Sequence, residues 1–106
     1  MEEKEFLRRV EEALRAIDAC LDERIDAGED IDYETLPGEM REITCANGRK
    51  IIINRHMAVR EIWLATHSQG FHFAWREGKD GKGNWIDTRD SGQSLQSVFL
   101  QALESR

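Results

Sequence analysis

Little in this chain of 106 residues breaks a backbone or staples it: one proline, one tyrosine and two cysteines. With a single proline and 8 glycines, a collagen-like repeat or a Pro/Gly-rich disordered tract is excluded. Cys20 and Cys45 are too few for a disulfide-stapled mini-protein, and no C-x-x-C or zinc-spaced Cys/His pair occurs. Buried thiols are expected of both, a disulfide being the alternative. No apolar run approaches the ~18 residues of a membrane span. Positive charge is scarce as well: 15 Lys and Arg against 21 Asp and Glu leave a net charge of −6, which disfavours a nucleic-acid binder. The opening Met1-Glu2-Glu3-Lys4-Glu5 has neither a signal nor a transit pattern, so a cytoplasmic or already processed chain is expected. The length is that of one domain, 1–106.

The negative charge is concentrated. Residues 1–39 hold 14 acids and 5 bases, net −9, whereas residues 40–106 hold 7 acids and 10 bases, net +3. Asymmetry of this kind points to an electrostatic partner.

Phe6, Leu7, Val10, Leu14, Ile17, Leu21 and Ile25 form one stripe at steps of three and four, which predicts a helix over 5–25 that Gly28 ends. Strands are expected over 31–36, 40–46, 50–55, 61–66, 71–75 and 84–88, with a Pro37-Gly38 turn, an Asn47-Gly48 hairpin and a Gly/Lys loop over 77–83. Leu95, Val98, Phe99, Ala102 and Leu103 predict a closing helix, capped by Ser91 or Ser94. Short connections make neighbouring strands antiparallel. Two helices can cover only one face of such a sheet. The expected fold is therefore α+β: a two-layer α-β sandwich, with the N- and C-terminal helices on one face of an antiparallel sheet of about six strands. Arg41 shares the parity of Ile43 and Cys45, an inward direction where an apolar residue is expected.

Several catalytic patterns are missing. Gly78-Lys79-Asp80-Gly81-Lys82-Gly83 is no phosphate loop, because a Walker lysine is followed by Ser or Thr at a helix start. His56, His67 and His72 form no local ligand pair, no Glu-x-x-His lies on a helix, and no nucleophile elbow occurs.

The acids are more informative. Asp18, Asp22 and Asp26 step by four along one helix face with Glu23 beside them. Glu29 follows, and Asp30, Asp32 and Glu34 share one strand parity. Like charges at helical spacing cost about 0.2–0.5 kcal/mol per pair, and acids in a last turn oppose the helix dipole. A solvated face that keeps the chain soluble is one reading. The other is a surface for hard cations or for a basic protein patch, since clustered oxygens suit Ca, Mg, Mn or iron. An open ridge of this kind binds weakly and with little selectivity, and D-x-D-x-D-G of an EF-hand is absent. Trp63 points opposite to Ile62 and Leu64. If those two face the helices, Trp63 lies on the open sheet face near Ile52, Asn54 and His72, where an exposed aromatic marks a binding site. The alternative is that Trp63 is the buried one.

The run Asn47-Gly48-Arg49-Lys50-Ile51-Ile52-Ile53-Asn54-Arg55, then Ile62-Trp63-Leu64-Ala65-Thr66 and Gly70-Phe71-His72-Phe73, resembles the frataxin family in its bacterial branch. Trp85-Ile86 and Arg89-Asp90-Ser91-Gly92 fit as well. The resemblance implies an α-β sandwich that binds Fe(II) and Fe(III) weakly on an acidic ridge, other divalent cations being alternatives. It also implies docking on the cysteine desulfurase and the scaffold protein of iron–sulfur cluster assembly, in a monomer or an iron-dependent oligomer. On that resemblance the metal residues are Asp18, Asp22, Glu23, Asp26, Glu29, Asp30 and Asp32. The partner-binding residues are Asp22, Asp26, Asn54, Trp63, Gln69 and Gly70. A regulator of cluster assembly is the expected function; an iron donor is the alternative, and a ferroxidase the reading from the enzyme class.

Overall fold

The computed structural model describes residues 1–78, 81–89 and 91–104. Lys79 and Asp80 of the Gly/Lys loop and Asp90 of the run before the last helix lie outside the described residues. The order is α1 (Glu3–Asp26), β1 (Asp32–Leu36), β2 (Met40–Thr44), β3 (Lys50–His56), a 3-10 turn (Met57–Val59), β4 (Glu61–Ala65), β5 (Gly70–Glu77), β6 (Gly83–Asp87) and α2 (Leu95–Glu104). The six strands pair antiparallel in sequence order, and both helices cover one face. This is the predicted α+β sandwich; the 3-10 turn was not foreseen.

Helix α1 buries Phe6, Val10, Leu14, Ile17 and Leu21. It crosses the sheet from β6 to β1. Phe6 meets Trp85 edge-on at 5.8 Å near its start. Asp18 and Asp22 reach Arg41 on β2 and Tyr33 on β1 near its end. Ile25, expected in the stripe, is 37% exposed, because the last turn has run past the sheet edge. The helix then stops where expected. Gly28 takes φ +96°, its N–H donates to the Ile25 carbonyl, and the Glu29 N–H donates back to the Arg24 carbonyl. These two bonds satisfy carbonyls that the helix end leaves open.

The strands alternate as their sequence requires. Ile43, Ile51, Ile53, Ile62, Leu64, Phe73 and Trp85 turn inward and are buried with α1 and with Leu95, Val98 and Phe99 of α2. The Asn47-Gly48 hairpin uses three loop residues: the Gly48 N–H donates to the Cys45 carbonyl, Gly48 takes φ +81°, and the Cys45 N–H closes on the Arg49 carbonyl. A turn followed by a left-handed glycine is the usual three-residue solution. Of the two candidate caps for α2, Ser94 does the work, its Oγ accepting the Ser97 N–H at 3.1 Å. Ser91 instead donates to the buried carboxylate of Asp87. Cys20 and Cys45 are free and half-buried rather than buried, since each lies at the margin of the helix layer. Partial burial pushes the Cys45 thiol pKa up.

One glycine is required by packing. Trp75 and Trp85 are register partners on β5 and β6 and meet edge-on at 5.6 Å. The Trp75 ring closes on Gly83, where an added Cβ would sit 2.2 Å from it. The Arg9 guanidinium lies over the same ring, 4.2 Å from its centre. Gly83→Ala is therefore expected to force Trp75 off its seat and to lower stability by about 1–3 kcal/mol, the cost of overpacking. Urea denaturation checks it, and a midpoint equal to the parent's would contradict the packing argument.

Candidate functional site

Two surfaces carry the candidate residues. The first is the edge where α1 ends beside β1 and β2. Arg41, inward as its parity required, is 5% exposed. Its guanidinium donates twice to Asp18, from Nε and from an Nη, each at 2.9 Å, and once to Glu39 Oε2 at 3.2 Å. A two-pronged Arg–carboxylate pair is among the strong ion pairs. The Asp18 hydrogen bonds raise the Arg41 pKa despite the opposing effect of burial. The expectation of an apolar residue at position 41 is thus overturned for a physical reason: Asp18 neutralises the arginine at the end of its stem. The same contact commits Asp18, which the sequence placed in the cation ridge.

Asp22 is also engaged. The Tyr33 hydroxyl donates to Asp22 Oδ1 at 2.7 Å. That hydrogen bond, followed by burial and by the charges of Asp18 and Asp22, pushes the Tyr33 pKa up to about 12. Glu29 faces Arg24 at 3.4 Å. Glu23, Asp26, Asp30 and Asp32 are exposed, and among the described residues no ion pair or side-chain hydrogen bond reaches them. No group of three or more ligating side chains among the described residues is arranged to hold a metal ion. The acids therefore make a diffuse negative surface around the end of α1 rather than a chelating cage. Such a surface attracts cations and basic patches through its field.

The second surface is the sheet face that the helices leave open. Trp63 stands there half-buried, opposite to the buried Ile62 and Leu64. Its register neighbours are Asn54 on β3 and His72 on β5. The ring is stacked between His56 at 3.4 Å and His72 at 4.0 Å, and its indole N–H donates to Glu61 Oε1 at 2.8 Å. Ile52, Asn54, His56, Trp63, Gly70 and His72 line a shallow depression of about 280 Å³. Gln69 lies at the adjoining corner, where its N–H bonds Thr66 Oγ1 at 3.1 Å and its carbonyl accepts the Thr66 N–H at 2.8 Å. Asn54, Trp63 and Gly70 thus share one surface with Gln69 at its end, whereas Asp22 and Asp26 belong to the helix edge.

Sequence reasoning did not find Tyr33, Arg41, His56 and Glu61 as members of these surfaces. The parity of Arg41 marked it as an inward-pointing charge that needs a partner, and Tyr33, opposite in parity to Asp32 and Glu34, carried a similar signal that was not read. Nothing local in the sequence pointed to the stacking of His56 on Trp63.

The sign of the Tyr33 effect is checkable. A phenol whose folded pKa lies above its unfolded value adds stability below pH ~10 and loses it as pH rises towards 12. Tyr33 is the only tyrosine, so phenolate absorbance reports it alone. Its titration midpoint is expected to fall towards the ordinary tyrosine value in Asp22→Ala. An unchanged midpoint would mean that Asp22 does not hold the phenol.

The chain matches the frataxin-like domain family along residues 1–106. It is 44% identical over 102 residues to the "Iron-sulfur cluster assembly protein CyaY" of Dechloromonas aromatica, covering 96% of this chain and 90% of that protein. To the protein of the same name from Vibrio cholerae it is 45% identical over 101 residues, covering 95% of this chain and 88% of the relative. Among solved structures, the frataxin of Psychromonas ingrahamii, described as a model for stability modulation within the CyaY family, superposes with a TM-score of 0.75 at 28% identity. That match covers 96% of this chain and 92% of the other. A helix laid across a six-stranded antiparallel meander, acids gathered at its end and a tryptophan on the open face therefore belong to a member of the frataxin-like family.

Proposed function

We propose that the chain is a non-enzymatic regulator of iron–sulfur cluster assembly in the bacterial cytoplasm, docking on the cysteine desulfurase and its scaffold protein. The name carried by the relatives supports the pathway. The observation that carries the mode of action is the charge at the end of α1. Glu23, Asp26, Asp30 and Asp32 are exposed, and no ion pair reaches them among the described residues, in a segment whose net charge is −9. Carboxylates left in water keep their long-range field, which speeds encounter with a basic groove and weakens as salt is added. The same oxygens bind Fe(II) or Fe(III) weakly as cargo, because hard cations prefer carboxylates and no cage is closed around them. Asp18 and Asp22 belong to the tie between α1 and the sheet in this reading, and the cation footprint centres on Glu23, Asp26, Asp30 and Asp32. Catalysis of iron oxidation needs preorganised groups in a site that excludes water, and these carboxylates are solvated. Trp63, Asn54 and Gly70 form the second contact area, on the open face.

The experiment is a binding titration of the chain with a cysteine desulfurase at two salt concentrations. Glu23→Lys with Asp26→Lys is expected to weaken binding by roughly tenfold at low salt and to flatten its salt dependence. Trp63→Ala is expected to weaken binding while the protein stays folded, whereas Trp85→Ala costs about 3–5 kcal/mol of stability as a buried truncation. Amide signals near Glu23, Asp26, Asp30 and Asp32 should broaden first as ferrous iron is added. Full affinity in the charge-reversed variant, or broadening centred on the histidines, would refute the reading.

A further inference from the structure

The open face holds a feature that docking alone does not require. Both ring faces of Trp63 are covered by imidazoles: His56 lies 3.4 Å from the indole centre at an interplanar angle of 24°, and His72 lies at 4.0 Å and 6°. The indole N–H donates to Glu61 Oε1 at 2.8 Å. The same oxygen is 3.7 Å from His72 Nδ1. One carboxylate oxygen thus accepts the indole N–H and stands near an imidazole nitrogen, and both imidazole nitrogens are donors only in the protonated ring.

Among the described residues, Glu61 is the charged side chain within ion-pair distance of the stack. β3 contributes Asn54 beside His56, and β4 contributes Glu61 and Trp63. On the β6 side the neighbour of His72 is Thr88, whose N–H donates to the His72 carbonyl at 2.8 Å. Arg60 turns away, bonding the Met57 carbonyl and lying 5.8 Å over the Phe6 ring. Arg55 and Asp87 lie on the helix side by strand alternation, Arg55 opposite Ile62 and Asp87 opposite Phe73. Among the described residues no other ion pair reaches either histidine.

We infer that His56, Trp63, His72 and Glu61 form a proton-operated clamp on the indole, so that acidification weakens docking through the open sheet face. This rests on the docking role proposed above. With neutral imidazoles the stack is three uncharged rings, and a partner can draw the indole out of it. A proton on each imidazole adds a cation–π attraction to the indole, and the proton on His72 adds an ionic hydrogen bond to Glu61. Both hold Trp63 in the position it has in the free protein. A partner that engages the indole has to break them, so docking releases protons. By reciprocity, affinity rises with pH through the histidine range.

Two measurements test it. In the free protein, the Trp63 indole N–H signal and the His56 and His72 imidazole signals are followed by NMR from about pH 5 to 8. The indole signal is expected to move with the His72 midpoint, and that movement is expected to vanish in His72→Gln. An indole signal that stays flat, or moves equally in the variant, overturns the clamp whether or not any partner binds. Affinity for a cysteine desulfurase is then compared at the two ends of that range. The parent is expected to lose about fivefold more at acid pH than His56→Gln with His72→Gln, the size of a cation–π contact at a half-exposed site. An equal loss in both proteins, or tighter parent binding in acid, overturns the link to docking. Failure of the parent to bind at either pH refutes the docking role and leaves the indole titration to judge the clamp.

Discussion

One helix has to reach across six strands, with a second, shorter helix beside it, and most of the structure follows from that constraint. Five strand spacings make a sheet about 24 Å wide. The 24 residues of α1 are about 36 Å long. Laid from β6 to β1, the helix spends its apolar stripe from Phe6 to Leu21 on the sheet and carries its last turn past the edge. Ile25 is exposed for that reason, and among the described residues no ion pair reaches the exposed Glu23 and Asp26. The acidic surface is the overhang of the core helix.

Placing like charges on an overhang destabilises the helix end, so something has to hold it down. Arg41 and Tyr33 do this from the sheet edge through Asp18 and Asp22. A buried guanidinium would be costly without a partner, and the two-pronged contact with Asp18 offsets that cost. The carboxylates nearest the core become structural, and those farther out are left to solvent. Along the row Asp18, Asp22 and Asp26, the division falls between acids that fasten the fold and one left available to a partner.

The same constraint leaves the other sheet face uncovered, and its middle strands fill it with rings. A half-buried indole between two imidazoles is a compromise between apolar surface and solvent. It hides most of the ring yet keeps it displaceable. The N–H is satisfied by Glu61, whereas the N–H of the buried Trp85 has no hydrogen-bond partner among the described residues. Trp85 is held instead by edge-on contacts with Phe6 and Trp75, and therefore serves the core.

The sequence by itself determined the layers. A 3.6-residue stripe, six alternating runs and turn glycines at Gly28 and Gly48 leave one arrangement, because periodicity is a local property that each segment carries alone. It also determined which face Trp63 takes once Ile62 and Leu64 were assigned inward, and that acids crowd the end of α1. Tertiary structure decided which acids remain available. Asp18 meets Arg41 only because the diagonal of α1 and the β1–β2–β3 register bring distant positions together. The His56–Trp63–His72 stack likewise depends on two strand registers at once, and a shift of one residue in either would turn its rings to the other face. Such pairings are products of packing geometry, and no segment contains the information for them alone.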